Sequence, residues 1–295
     1  MTPPSRGLSD EAFIRSCFPQ LAQGSMVEIF GGWDSRVFEI DGWIVRLPRR
    51  PEVTKWVRAE IRLLAELAAH LTTRVPRFDL ICDTGARLVL GHRKIPGAAL
   101  APADFEPAGA ALLAASVGRF LGELHAFPAD GAATLLGAER SAAGAQLRHD
   151  VFIGDVRMRV LPLFGRAERS VVKGFLDEWH DPKMLHFEPV LTHSDLGPEH
   201  LLCESHTLSG VIDWSDAQVG DPAIDFAWLL HGTPRDFGSR VLEAYPGNVD
   251  EIERRSLFWH RLGPFHEVIH GLDRGDDRFV TSGLEGITGR LARRS

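Results

Sequence analysis

Long apolar runs are missing from this 295-residue chain, and cysteines are few. No stretch approaches the ~20 residues that a bilayer-crossing helix needs. The opening stretch, MTPPSRGLSDEAFIRSCF, is polar and acidic where a secretory leader has its greasy core. Three cysteines, Cys17, Cys82 and Cys203, lie at wide spacings that fit neither a disulfide framework nor a zinc site. The expectation is therefore a protein of the reducing cytoplasm that makes no use of a membrane. An excess of basic residues is also missing: the net charge is −7, whereas a nucleic-acid binder wants basic stripes. What is present is ordinary for a globular protein, 44% hydrophobic and 25% charged residues, which excludes disordered and collagen-like chains. The length suits about two domains or lobes.

Charge is distributed unevenly. Residues 1–96 carry 14 Lys+Arg against 11 Asp+Glu, a net of +3, which leaves 19 against 29 in residues 97–295, a net of −10. A mildly basic front and an acidic back suit a protein that receives an anion on one side and a cation on the other.

Apolar spacing outlines the organisation. A helix is predicted from Ser9-Asp10-Glu11 to before Pro19, with acidic residues in its first turn. Strands follow at 26–30, 36–40 and 43–47; Gly31-Gly32-Trp33-Asp34-Ser35 forms the first turn, and Asp41-Gly42 marks a tight hairpin. Residues 52–70 have helical spacing, and short strands are predicted at 78–82 and 87–91. Ile95-Pro96-Gly97 reads as a connector, beyond which the pattern is mostly helical: 108–127, 167–180, 222–231, 235–245 and 249–272. The boundaries expected are an N-terminal lobe over 1–96, a linker near 92–97 and a C-terminal lobe over 97–295.

The densest polar stretch runs Leu191-Thr192-His193-Ser194-Asp195-Leu196-Gly197-Pro198-Glu199-His200, and is followed by Val211-Ile212-Asp213-Trp214 and Gly220-Asp221-Pro222-Ala223-Ile224-Asp225. Asp195, His200 and Asp213 each border an apolar strand, which would hold them rigidly with their heads accessible. Taken singly, Asp195 and Asp213 would read as turn carboxylates. Together with His200 they supply what phosphoryl transfer asks of a protein: one carboxylate to orient a hydroxyl, and a second ligand in the same loop with a carboxylate after the next strand to hold a charge-neutralising magnesium ion. His193 is expected to brace the loop backbone, and Asp221 to cap a helix start.

These three spaced elements resemble the aminoglycoside phosphotransferase family, which includes the macrolide phosphotransferases. The resemblance implies an α+β, two-lobed, protein-kinase-like fold with a small β-rich N-lobe and a larger, mainly helical C-lobe. It implies that Asp195 is the catalytic carboxylate and that His200 and Asp213 are the ligands of Mg2+. Ser35, Arg46, Glu60, Arg93 and Ile95 would serve nucleotide binding, with Arg46 on the third strand paired to Glu60. Two departures stand out. His200 replaces the usual Asn and offers nitrogen to a metal that prefers oxygen. Arg46 replaces the usual Lys, exchanging a point charge for a planar fork.

The implied activity is transfer of the γ-phosphate of ATP or GTP to a hydroxyl of a small molecule. The acidic C-terminal half favours a cationic acceptor, an aminoglycoside or a basic peptide antibiotic, and hence a resistance enzyme. Asp216, Glu267 and Asp273 are the residues expected to face it. The rival acceptors are a macrolide, suggested by Leu257, Phe258, Trp259, Leu262 and Phe265 on the late helix, and an endogenous sugar or amino alcohol. From other classes stand a silent nucleotide-binding module and a metal hydrolase built on His193, Asp195 and His200. The oligomeric state is open between monomer and dimer.

Overall fold

The computed structural model describes residues 9–29 and 34–292. Phe30, Gly31, Gly32 and Trp33, and with them most of the expected glycine turn, lie outside the described residues. The chain divides into two compact units. One comprises Met1–Leu100 with Glu199–Ser215, the other Ala101–Pro198 with Asp216–Ser295.

The first unit begins with α1 (Asp10–Cys17), capped by the Ser9 hydroxyl, which accepts the Ala12 N–H at 3.2 Å. Then come β1 (Met26–Ile29), β2 (Ser35–Ile40), β3 (Trp43–Pro48), α2 (Pro51–His70), β4 (Phe78–Asp83), β5 (Leu88–Arg93) and β6 (Ala98–Ala99). β1 to β5 form an antiparallel sheet in the order β1-β2-β3-β5-β4. Asp41 and Gly42, at φ 48° and 76°, make the two-residue turn that pairs Ile40 with Trp43. Both angles are of the left-handed kind that such turns require.

The alternation of β3 sorts its side chains. Val45 and Leu47 pack with Phe13, Ile14 and Phe18 of the α1 side. Arg46 points the other way, toward α2, whose Val53 and Val57 meet Leu88 and Leu90 of β5. The sheet is thus covered on both faces. On the α1 side Cys17 and Cys82 of β4 form a disulfide, with Cα atoms 5.8 Å apart. This corrects the expectation that the cysteines do not pair. Their 65-residue separation in sequence concealed that α1 docks on the face to which Cys82 points.

The helical unit supplies α3 (Pro107–His125), α4 (Ala129–Leu136), α5 (Ala142–Arg159), α6 (Arg166–Asp177), α7 (Pro182–Leu185) and β7 (Val190–Thr192). The chain then returns to the first unit for β8 (Leu201–Glu204) and β9 (Thr207–Val211). It ends in the second with β10 (Gln218–Gly220), α8 (Ala227–His231), α9 (Arg235–Ala244), α10 (Ile252–Arg274) and α11 (Asp277–Ala292). The segment 199–215, expected in the C-terminal lobe, groups with the sheet-bearing unit for a physical reason. β8 pairs with β6 as well as β9, and the Val211 N–H donates to the Arg74 carbonyl at 2.9 Å.

The core of the helical unit gathers Ile153 and Val156 of α5, Phe175 and Leu176 of α6, and Phe258, Leu262 and Phe265 of α10. Pro264 lies inside α10, where a proline removes one helical hydrogen bond. The orphaned His260 carbonyl accepts instead from Arg290 of α11. Among the described residues no helix is long and apolar enough to cross a membrane.

Candidate active site

In the first unit the chemistry centres on Arg46. Its guanidinium donates to Glu60 Oε1 at 2.6 Å, with the side chains 11% and 2% exposed, so this is a buried pair rather than a surface contact. Burial works against the charged guanidinium, but the carboxylates of Glu60, Asp213 and Asp34 outweigh it and raise its pKa. A cation is thereby held among three carboxylates drawn from α2, the segment after β9 and the residue before β2.

Hairpin register brings His200 and Asp213 together. Leu201 of β8 pairs with Val211 of β9, and the Ile212 N–H donates to the His200 carbonyl at 3.0 Å. His200 Nε2 then lies 3.7 Å from Asp213 Oδ2. Asp213 adopts a left-handed conformation, φ 62°, that a non-glycine residue rarely takes. Its neighbours enforce it: Trp214 is buried with its Nε1–H on the Val211 carbonyl at 3.0 Å, and the Ser215 hydroxyl donates to Asp213 Oδ1 at 2.9 Å. The Asp213 side chain stays 47% exposed.

Among the described residues no three His, Cys, Asp or Glu side chains gather as a metal cage. Magnesium does not require one, because it commonly binds through one or two protein ligands together with substrate phosphates and water. Asp213 offers a half-exposed carboxylate with the His200 imidazole beside it, a donor pair that fits the one or two protein ligands such an ion takes.

The remaining nucleotide candidates also lie in this unit. Ser35 opens β2, opposite Pro48, and its buried hydroxyl has no hydrogen-bond partner among the described residues. Arg93 closes β5 with its guanidinium 4.1 Å from the centre of the Trp43 ring. Ile95 is buried against Gly210, where any side chain would collide with it. The Ser209 hydroxyl donates to the Pro96 carbonyl at 2.6 Å, which ties the connector to the β8–β9 hairpin.

Asp195 belongs to the second unit, in the loop after β7. Thr192 is fixed by the Gln218 carbonyl at 3.1 Å. The His193 and Ser194 amides donate to the two oxygens of the wholly buried Asp225, at 3.0 and 2.8 Å. Buried His193 accepts the Asp195 N–H on Nδ1 at 3.3 Å, the bracing role expected of it. Ser194 is held at φ 71°. The loop backbone is therefore clamped while the Asp195 side chain remains exposed. Asp221 caps the turn before Asp225 through the Ala223 N–H at 3.0 Å and receives Arg255 and Trp259 of α10.

The acceptor candidates are scattered. Exposed Asp216 is electrostatically coupled to Arg148, whose pKa burial and the nearby Arg140 charge lower. Asp273 accepts from Arg159 Nη2 at 2.6 Å, and Glu267 is half-buried on the preceding turns of α10. The structure unites Arg46 with Glu60, and His200 with Asp213; it does not join Asp273 to the Asp195 loop, since its partner among the described residues is Arg159. Sequence reasoning missed the clamp by Asp225 and the basic pair Arg140 and Arg148. The Asp225 clamp had one available signal, an acidic residue in an otherwise apolar helix start.

Comparison with known proteins bears on the family and the fold. The model of the phosphotransferase enzyme family matches residues 25–258. The viomycin phosphotransferase of Streptomyces vinaceus is 31% identical over 148 residues, 46% of this chain and 48% of that protein, so the match spans about half of either. The solved GDP and kanamycin complex of the aminoglycoside phosphotransferase APH(2")-IIIa superposes with a TM-score of 0.86 at 23% identity, covering 95% of this chain and 97% of that one. The macrolide 2'-phosphotransferase MphH of Brachybacterium faecium follows with a TM-score of 0.71 at 27% identity, covering 93% and 94%. The α+β kinase-like fold expected from the motifs is the fold of these enzymes. On the strength of the family match, which runs from β1 into α10, the chain belongs to the phosphotransferase enzyme family.

Proposed function

We propose that the protein transfers the γ-phosphate of ATP or GTP to a hydroxyl of a small cationic antibiotic and so confers resistance. The observation that carries this reading is the assembly around Arg46: a buried guanidinium balanced by Glu60 and Asp213, with His200 beside Asp213. A fixed cation and adjoining oxygen and nitrogen donors are what a triphosphate with its metal ion needs.

Arg46, oriented by Glu60, attracts the phosphate oxygens, and Ser35 adds a hydroxyl near the same strands. Asp213 and His200 would hold Mg2+, which supplies charge neutralisation on the β- and γ-phosphates. Asp195 orients the acceptor hydroxyl and receives its proton. A bond forms between that oxygen and the γ-phosphorus while the bond to the β-phosphate oxygen breaks, and the proton passes from Asp195 to solvent. The clamped loop supports this role, because a positioned base needs a rigid backbone and an accessible head.

The net −10 of residues 97–295 favours a cationic acceptor, and the kinship with a viomycin phosphotransferase points the same way. The sequence argument for a macrolide weakens. Phe258, Trp259, Leu262 and Phe265 are buried in the helical core, with Phe258 stacked on Phe175 at 4.9 Å, rather than lining an open apolar pocket.

The test is nucleotide turnover with ATP and with GTP against viomycin, several aminoglycosides, a macrolide and common amino alcohols. Turnover with a cationic antibiotic, lost by about 10²–10⁴-fold in Asp195→Asn, is the expected result. The acceptor KM should rise with ionic strength, since attraction between exposed charges is screened by salt. Turnover with no acceptor, or an unimpaired Asp195→Asn enzyme, would remove the reading.

A further inference from the structure

The clamp on the Asp195 loop continues beyond Asp225. Asp225 Oδ2, which accepts the His193 amide, also lies 3.2 Å from His125 Nε2 on α3. His125 Nδ1 in turn lies 2.8 Å from the Tyr245 hydroxyl, just beyond α9. All three side chains are buried. An ionised carboxylate only accepts, so His125 must present Nε2–H to Asp225; in a neutral imidazole Nδ1 is then an acceptor, and Tyr245 must donate to it. With Asp225 ionised and His125 neutral the donors run in one order: Tyr245 O–H to His125 Nδ1, His125 Nε2–H to Asp225, and Asp225 accepting the two loop amides. Burial, with the Asp225 charge nearby, raises the Tyr245 pKa to about 12 and keeps the phenol a donor.

We infer that His125 and Tyr245 are positioning residues for Asp195, acting through Asp225, which they hold with both carboxylate oxygens aimed at the amides of His193 and Ser194. The inference rests on the phosphotransferase reading. Its logic is geometric. Ser194 is held at φ 71°, a conformation it would leave if the Asp225 carboxylate rotated. The Asp195 head would then shift, and displacement by about 1 Å costs a reaction about 10²-fold. None of these residues needs to touch nucleotide or acceptor.

Three variants test it, assayed in the full-length protein by turnover of ATP and GTP with magnesium and the antibiotic panel. His125→Leu removes the donor to Asp225, and kcat should fall about 10²-fold with the nucleotide KM within about twofold of the parent. His125→Gln, whose amide nitrogen reaches the place of Nε2, should recover most of that loss. Tyr245→Phe removes a single oxygen and should lie between. Amide hydrogen exchange gives a second readout: His193 and Ser194 should lose protection in His125→Leu and Tyr245→Phe, whether or not an acceptor is known. Unchanged kcat in Tyr245→Phe and His125→Leu, beside an inactive Asp195→Ala, overturns the inference and leaves the phosphotransferase reading standing. Equal loss in His125→Leu and His125→Gln also overturns it, as does unchanged exchange at 193 and 194. Should His125→Leu fail to fold, Tyr245→Phe decides. Full activity in Asp195→Ala would instead sink the functional reading itself.

Discussion

Glu60→Gln isolates the charge of the buried pair while keeping its shape. The glutamine oxygen can still accept from Arg46, but the guanidinium loses the closest of its counter-charges. Breaking a buried pair by neutralising one member costs about 3–5 kcal/mol, because a charge is left in the interior. Arg46 keeps Asp213 and Asp34 nearby, so the lower end applies, about 3 kcal/mol. In a domain of this size that lowers the melting temperature by about 6–12 °C. The assay is thermal melting with and without magnesium-nucleotide. Without nucleotide the variant should melt early. With nucleotide the stabilisation should shrink and the nucleotide KM should rise, because a guanidinium pulled toward Asp213 would leave the pose proposed above for meeting the phosphates. A variant that melts within about 1 °C of the parent with unchanged nucleotide response would refute the reasoning. Arg46 and Glu60 would then be a tolerated contact of small worth.

Replacing His200 with Asn exchanges a nitrogen donor for an oxygen. Half-maximal turnover should need less magnesium and the activity with manganese relative to magnesium should fall; identical metal titrations would take His200 off the ion. Peptide mapping without reductant should recover Cys17 joined to Cys82. Closing a loop across 65 residues stabilises by about 4 kcal/mol in the chain-entropy picture, so Cys82→Ser or added reductant should lower the melting temperature. Equal melting curves would deny the bridge that role. His149, packed on the rings of Trp179 and Trp259 at 5.8 and 4.7 Å, is held by burial and then by the charges of His266 and Arg148 to a pKa of about 3, against 6.5 unperturbed. The unfolded chain therefore binds this proton first. The stability His149 lends is full above pH 6.5 and declines as pH falls toward 3, by at most about 1.4 kcal/mol per unit. His149→Phe should flatten the melting-temperature profile between pH 6.5 and 4, and an unaltered slope would contradict the assignment.

Local chemistry was easy to read where one physical rule dominates. Asp41-Gly42 specifies a turn with two left-handed residues, and the strands on either side follow within a residue of expectation. The pairing of Glu60 with Arg46 was implied by the family resemblance, and helix and strand bring the two together. α5 went unread because apolar residues occupy opposite sides of it: Ile153 and Val156 are buried, while Leu147, Val151 and Met158 are 63%, 64% and 72% exposed. Without a polar face there is no periodic contrast to detect. Glu267 and Asp273 were chosen for their charge and their place on the late helix, and neither says which way a helix turns its residues. The Asp225 clamp and the Cys17–Cys82 bridge depend on contacts between segments far apart in sequence; an acidic residue at an apolar helix start marks Asp225, but no local pattern names the partner of either.

The return of the polypeptide for β8 and β9 makes the sheet-bearing unit a discontinuous object, completed by seventeen residues borrowed from late in the chain, Glu199–Ser215. A fragment ending at Leu100 would lack Asp213 and leave β6 without the strand it pairs with. Grafting this unit between relatives must therefore transplant both pieces at once. A single crossover near the connector would yield a hybrid whose Arg46 and Asp213 come from different parents.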